Sequence, residues 1–411
     1  MPVREVTVFI YLPGEPVAVP AGIFTHDNDL RVGSFAYGTR YLERPNCLAV
    51  DPVALPLGRT PKEITGNGGF YGAFRDAAPD YWGRLVIAAA AQTTPEALTE
   101  MDFLLGANAT RVGNLDFRLT PADPEPELTL PHFNQLPEIL AAAESIASGE
   151  QIPRQLPQLL RQGTSMGGAR PKCTVEKDGS LWIAKFPARG DSVNIPRLEF
   201  ATMTLAKHCG ITVPEMHLVS IDHSDVFLIR RFDREKQENG WCRSGFLSGL
   251  SFMQWDKQDR LQWSYPALAT GMRRFMSADK IQELFSRMIF NILVRNTDDH
   301  PRNHGILFDG IKASLSPAYD IVPSLAMAGV GMDFRLAMSI GDQGREATLD
   351  NGLSQAGRFG LSKVEARETT AELVEKVAAW QAHFEQCGFT AHEIDILRPS
   401  FQMAAASDVV R

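Results

Sequence analysis

Asp298, Asp299, His300, Asn303 and His304 fall within seven consecutive positions of the stretch RNTDDHPRNHGILFDG. Carboxylates, an amide and imidazoles this close together can bind a metal, move a proton or hold a phosphate. His300 and His304 are four apart, as in a zinc helix, but that motif needs a helix carrying H-E-x-x-H. Here Pro301, Arg302 and Asn303 intervene. Proline breaks the helix and a guanidinium beside the metal repels it, so the zinc reading is set aside. Asp298 and Asn303 instead have the spacing that phosphoryl-transfer enzymes of the protein-kinase type use. The aspartate would accept a hydrogen bond from the attacking hydroxyl, and the asparagine would supply an amide oxygen to Mg²⁺. Chance produces this spacing often, and a solvated polar loop after a long helix explains it equally well.

The flanking sequence carries further parts of the same chemistry. GILFDGIKASL reads as a hairpin turning at Asp309-Gly310. It leads to SPAYDIVPS, where Asp320 could be the second acid that holds Mg²⁺ against the β- and γ-phosphates. Upstream, GTSMGGARPK offers Gly163, Gly167 and Gly168 as a phosphate-cradling loop, glycine allowing close approach and positive φ. It is not a Walker A loop, because G-x-x-x-x-G-K-[ST] is absent. Lys185 follows in LWIAKF, and Glu199 in the next helix; a strand lysine held by a helix glutamate aims an ammonium at the α- and β-phosphates. Singly, Asp320 reads as a turn acid, Lys185 as a snorkelling strand residue and Glu199 as a helix-surface acid. Their order, from glycine loop to Asp320, is what chance explains poorly, and it points to a kinase-like fold.

These residues need a scaffold, and the pattern along the chain supplies one. VTVFIYL, AGIFTH and LRVGSFAYG read as short strands, APDYWGRLVIAAAAQ as a helix starting near Pro79 and Asp80, and RVGNLDFRL as another strand. Four prolines in 120–131 mark a linker, followed by a short helix ending near Gly149. CTVEKDGSLWIAKF is a hairpin turning at Asp178-Gly179, IPRLEFATMTLAKHCGI a helix, and HLVSI and VFLIRRF two strands. After residue 240 the signal is mainly helical. Ile281, Leu284, Phe285, Met288, Ile289, Ile292 and Leu293 recur at helix spacing, with Asp279 and Gln282 suiting a capping box. Ser362 with Glu365 and Thr390 with Glu393 mark two more helix starts. The fold class expected is α+β.

Bulk properties bound the rest. A hydrophobic content of 44% with 22% charged residues is that of a globular protein, and 411 residues are enough for more than one domain. A net charge of −8 argues against coating nucleic acid or anionic membrane by overall charge. Cys47, Cys173, Cys209, Cys242 and Cys387 are scattered and odd in number, which suits reduced thiols in a cytoplasmic protein. The N-terminal apolar run is cut by Pro13, unlike a signal peptide, and no window approaches the ~20 apolar residues of a membrane helix.

TSMGGARPK, IAKFP, RLEFATMTLAKHCGITVPE, RRFDR, NTDDHPRNHGIL and SPAYDIVPS together resemble the HipA serine/threonine kinases, the toxin halves of bacterial toxin–antitoxin pairs. The resemblance covers about residues 150 to 380, and GAFRDAAPDYWGRL is similar to the family's smaller coupling domain. It implies a bilobal kinase-like fold with a coupling domain over 1–119 and a Pro-rich linker and short helix over 120–149. A β-rich nucleotide-binding lobe would follow over 150–235 and a helical lobe with the catalytic loop over 236–411. By resemblance Asp298 would be the catalytic aspartate, and Asn303 and Asp320 the Mg²⁺ ligands. ATP would be held by Gly167, Gly168 and Lys185 with Glu199, and Phe232 and His300 would lie near the nucleotide. Ser165 matches the serine whose autophosphorylation shuts the enzyme off, since a phosphoserine would compete with ATP. Implied partners are a helix-turn-helix, HipB-like antitoxin, operator DNA through it, and a protein substrate such as an aminoacyl-tRNA synthetase; no membrane is implied. Two departures stand out: Arg230 replaces the glutamate often found before R-F-D-R, and PDYWGR replaces a leucine-rich segment. An inactive kinase-fold co-repressor and a small-molecule phosphotransferase remain as alternatives.

Overall fold

Short apolar-polar alternations and turn residues give the first part of the chain its strands. The computed structural model describes residues 3–126, 130–148, 168, 170–325 and 334–405. The chain divides into two compact units, one comprising Met1–Asp191, Val219–Gln254 and Leu307–Ile311, the other Ser192–Leu218, Trp255–Ile306 and Lys312–Arg411. Sheets and helices mix in both sequence halves, so the fold is α+β.

The first unit begins with strands β1 (Arg4–Ile10), β2 (Val19–Asp27), β3 (Val32–Tyr37), β4 (Lys62–Ile64) and β5 (Leu115–Arg118), ordered β4-β3-β2-β1-β5 in one sheet. Phe24, Phe35, Phe74 and Phe117 pack edge-on from its strands and from helix α1 (Gly72–Ala77), with Phe24 and Phe74 ring centroids 5.0 Å apart. Aromatic side chains bury large areas and prefer such tilted contacts, so this cluster dominates the small domain's core.

A second sheet of the same unit contains β6 (Lys172–Lys177), β7 (Ser180–Lys185) and β9 (Ser224–Arg230), with β8 (Met216–Ile221) preceding β9 in sequence. The β6–β7 turn has Asp178 and Gly179 at φ 50° and 68°, the doubly left-handed geometry that an Asp-Gly pair favours in a tight hairpin. Because strands alternate faces, Cys173, Val175, Trp182, Ala184, Val226 and Leu228 share one side. Helices α2 (Tyr81–Ala90) and α3 (Leu136–Ser148) cover that side with Trp82, Val86, Leu136, Ile139, Leu140, Ala142 and Ala143. Fully burying one large apolar side chain is worth about 1.5–3 kcal/mol, so this shared core binds the residues before 149 firmly to the β6–β9 sheet. Lys172 and Lys185 face the other side.

Residues 240–248, which composition groups with the helical part, instead form β11 (Gly240–Arg243) and β12 (Gly245–Ser248), and β11 pairs with β10 (Arg234–Gln237). Just before them, RRFDR makes a buried charged knot. Arg231 donates two bonds to Asp233 at 2.9 and 2.8 Å and one to the Thr110 carbonyl at 2.6 Å. Arg234 donates to Asp233 at 2.8 Å and to the Gly113 carbonyl at 2.9 Å, and the Gly113 N–H donates to Asp233 at 3.0 Å. Asp233 is 2% exposed. Burial opposes its ionisation, but the two guanidiniums outweigh burial and hold its carboxyl well below the usual carboxylate range.

The second unit is built on helices α4 (Ile195–His208), α5 (Tyr265–Met272), α6 (Ala278–Leu293), α7 (Lys363–Ala378) and α8 (Ala391–Leu397). The expected stripe of α6 is buried at every position from Ile281 to Leu293 that the periodicity picks out. Its expected capping box is not formed: Ser277 is the N-cap, which places Asp279 inside the first turn. There an acid still interacts favourably with the helix N-terminus. Both C-terminal capping boxes are present, Ser362 with Glu365 and Thr390 with Glu393. Strands β13 (Gly305–Phe308) and β14 (Ala313–Leu315) flank a four-residue loop, longer than an Asp309-Gly310 tight turn, in which Asp309 accepts the Ile311 N–H at 2.8 Å.

Candidate active site

One face of α6 positions the whole catalytic-loop candidate. Arg287 and Asn291 are one turn apart, and both are 2% exposed. Arg287 is clamped by Glu283 and donates to the Ser316 carbonyl at 2.7 Å, fixing the start of SPAYD. Burial pushes its guanidinium below the ordinary arginine value, and Glu283 counters this. Asn291 donates at 2.8 Å to Asp299 and at 3.1 Å to the Tyr265 hydroxyl of α5, while its side-chain Oδ1 accepts from Asn296 Nδ2 at 3.1 Å. The helix ends at Leu293 with Val294 as its C-cap; Arg295, just past it, takes φ 54°, and the Asn296 backbone N–H returns to the Asn291 backbone carbonyl at 2.9 Å. Beyond it, the Arg295 carbonyl accepts the Ser324 N–H at 2.9 Å. Successive positions of one helix therefore hold both polypeptide segments that carry Asp298, Asn303 and Asp320.

Within the loop the two adjacent aspartates differ. Asp299 is 2% exposed and accepts from Asn291 and from His304 Nε2 at 3.0 Å, whereas Asp298 is exposed. His304, which sequence left without a role, thus braces the loop, and its ring packs edge-on against Tyr265 at 5.1 Å. Pro301 opens a single 3₁₀ turn, Pro301–Asn303, where its missing N–H costs nothing. The Asn303 N–H closes that turn onto the His300 carbonyl at 2.9 Å, and Asn303 Nδ2 reaches the Asp298 carbonyl at 3.4 Å. The structure therefore brings Asp298 and Asn303 together. The Tyr319 hydroxyl donates to the Arg302 carbonyl at 2.7 Å, drawing the Asp320 segment to the same loop. Asp320 itself takes φ 62°, a left-handed conformation that costs a non-glycine residue about 1 kcal/mol or more and clusters at functional sites.

Asn303 and Asp320 are hard oxygen donors of the kind Mg²⁺ takes. With Nδ2 of Asn303 engaged by a carbonyl, the remaining atom of its amide is the oxygen. Glu199, on α4 of the same unit, is 3% exposed and is thus no surface acid.

In the first unit Lys185 ends β7, opposite Phe227 on β9 and Lys172 on β6. Phe232 sits inside the RRFDR knot, between buried Arg231 and Asp233. Gly168 has φ 110°, donates its N–H to Asp80 at 2.9 Å and accepts the Trp82 N–H at 3.2 Å. Ser165 and Gly167, with Gly163, lie outside the described residues. The sequence singled out Asp299 and His304 only as neighbours of Asp298, without a role, and offered no signal for Asn291, Tyr265 or Arg287 as members of the site. Their partners are set by α6 geometry, and only a polar residue inside an apolar helical stripe, such as Asn291, hints at it.

No helix among the described residues is long and apolar enough to cross a membrane. The HipA-like C-terminal domain family matches residues 164–381. "Putative kinase Y4mE" of Sinorhizobium fredii is 25% identical over 390 residues, covering 87% of this chain and 89% of that protein. "Putative kinase Y4dM" of the same organism is 27% identical over 238 residues, and there the match spans 57% of the relative's length. Among solved structures, the Shewanella oneidensis toxin–antitoxin complex of HipA, HipB and operator DNA contains a chain that superposes with a TM-score of 0.66 at 15% identity. That match covers 97% of this chain and 96% of that one, and it establishes a shared fold. Since the family match spans more than half of the 411 residues, this chain belongs to the HipA family.

Proposed function

We propose that this protein is a HipA-type kinase that transfers the γ-phosphate of ATP to a serine or threonine hydroxyl of a protein. The observation that carries the reading is the pairing of exposed Asp298 with a buried, cross-braced frame one residue away, Asp299 held by Asn291 and His304. Phosphoryl transfer needs little covalent help from the protein; it needs positioning and charge neutralisation. Asp298 orients the attacking hydroxyl and accepts its proton. Asn303 and Asp320 bind Mg²⁺, which when bound offsets charge on the phosphates. Lys185, with Glu199 as its partner, draws the phosphates, and Phe232 and His300 flank the nucleotide. Ser165 is the autophosphorylated residue. A helix-turn-helix antitoxin, and operator DNA through it, are the proposed partners, supported by the HipA–HipB–DNA composition of the Shewanella oneidensis complex.

The test is phosphate incorporation by the full chain with Mg²⁺ and radiolabelled ATP, with tryptic peptides read by mass spectrometry. Wild type is expected to gain phosphate in the peptide containing Ser165, and Asp298→Asn and Asp320→Asn to gain none. Asparagine is the right replacement at 320 because it tolerates the left-handed backbone. A wild type that binds no nucleotide and gains no phosphate sinks the kinase reading. Incorporation by Asp298→Asn overturns the role given to that residue alone.

A further inference from the structure

Arg243 of β11 lies over the ring of Tyr11, its guanidinium carbon 3.7 Å from the ring centre. It is 6% exposed, and its Nε and Nη1 are buried with no hydrogen-bond partner among the described residues. Tyr11 answers the face of this cation, but the Tyr11 hydroxyl donates to the Glu125 carboxylate. Arg234 is the direct partner of Arg243 across the β10–β11 ladder, so the two project from one face and repel. Asp233 takes up Arg231 and Arg234, each at 2.8 Å. Asp116 of β5 takes up Arg118 at 2.9 Å and Arg111 at 3.4 Å. Each buried carboxylate is thus shared between two guanidiniums, and neither pairs with Arg243. Glu125, the third acid near Arg243, is exposed. Burial pushes the Arg243 guanidinium below the ordinary arginine value, and the charges of Asp116 and Glu125 only partly counter it. All of these residues lie in the first unit. Five buried guanidiniums therefore meet two buried carboxylates among the described residues. A protein interior tolerates such an excess of charge when a further anion answers it.

We infer that the Arg243 guanidinium is a binding site for a small monovalent anion, a halide such as chloride, which neutralises the arginine cluster. The ion would tie β11 to the strand end that carries Tyr11. The neighbours favour a halide over an oxyanion. Buried rings and guanidiniums suit a single dehydrated ion, which accepts N–H bonds from any direction. A phosphate or sulfate instead favours paired N–H forks. Asp116 and Glu125 also face Arg243, and they repel one negative charge less than two.

Thermal unfolding of the full chain at equal ionic strength in chloride, bromide, phosphate and gluconate salts tests the site. Gluconate is monovalent but too large for it. Salts also stabilise or destabilise any fold in a general way, so the readout is the difference between wild type and variants. Chloride and bromide should raise the wild-type midpoint by about 2–4 °C over gluconate. Arg243→Gln and Arg243→Met should lose that rise, and Arg243→Lys should keep most of it. Should neither neutral variant fold, broadening of the chloride NMR line by wild type, reversed by added bromide, reads the ion directly. A wild type with equal midpoints in chloride and gluconate overturns the inference, as does a halide rise that survives in Arg243→Gln or an unbroadened chloride line. A rise found with phosphate alone and lost in Arg243→Gln overturns the halide assignment.

Discussion

The RRFDR stretch of the first unit and the TDDHPRNH stretch of the second each centre on an aspartate that is 2% exposed, Asp233 and Asp299. Asp233 faces two guanidiniums and a backbone amide, and its bonds end on a loop some 120 residues earlier in the chain. Asp299 faces an asparagine and a histidine on neighbouring turns, and its sequence neighbour Asp298 is turned to solvent. The first arrangement is a buried knot in which two guanidiniums share one carboxylate. The second uses local bonds from neutral partners to hold the segment next to Asp298, the exposed carboxylate given the catalytic role in the proposed function. Two motifs that carry the family resemblance equally well therefore do different work, and exposure of an adjacent acid separates them.

Substitutions can test that contrast. Asp298→Asn should have the largest effect and only on the reaction, lowering kcat about a hundredfold to ten-thousandfold, with stability by urea unfolding unchanged within about 0.5 kcal/mol. Asp233→Asn should behave in the opposite way. It strands two buried arginines and should cost about 3–5 kcal/mol in urea unfolding; a loss under about 1 kcal/mol would remove the knot from the account of stability. Asp299→Asn should fall between them, costing about 1–3 kcal/mol and lowering kcat more than it raises KM for ATP, since it loosens the frame of Asp298. If kcat is untouched, the brace is purely structural.

The smallest effect is in pH. The Asp233 carboxyl is held below its ordinary value in the fold, so its contribution is complete above the unfolded value, about 3.9, and fades as pH falls further toward the folded value. The stability gap between wild type and Asp233→Asn should thus be constant from neutral pH down to about pH 4 and narrow only below it. A gap that closes between pH 7 and 5 would mean the arginines are not what holds Asp233 ionised.

Local features were legible in the sequence where local physics decides. The α6 stripe, the Asp178-Gly179 turn and the two C-terminal capping boxes need only neighbours a few residues away. Asp298 with Asn303 was readable for the same reason, because a single 3₁₀ turn closes the gap between them. What stayed hidden was long-range or offset by a residue or two. RRFDR drew attention to Phe232, but nothing in the sequence tells that Arg231 and Arg234 reach the carbonyls of Thr110 and Gly113. The α6 cap was misplaced because Ser277, Asp279 and Gln282 are all acceptable near a helix start. His304 was left without a role, because its bond to Asp299 depends on how the loop folds back on itself.

The apolar side of the β6–β9 sheet has a consequence for how this protein can be divided. The match to the HipA-like C-terminal domain family starts at residue 164, yet the side chains that dry that sheet, from Trp82 to Ala143, come earlier in the chain. A fragment begun at residue 164 would show Cys173, Val175, Trp182, Ala184, Val226 and Leu228 to water as one bare patch. The border of that family match and the border of this core thus differ, and the matched piece is not one that can be cut out whole.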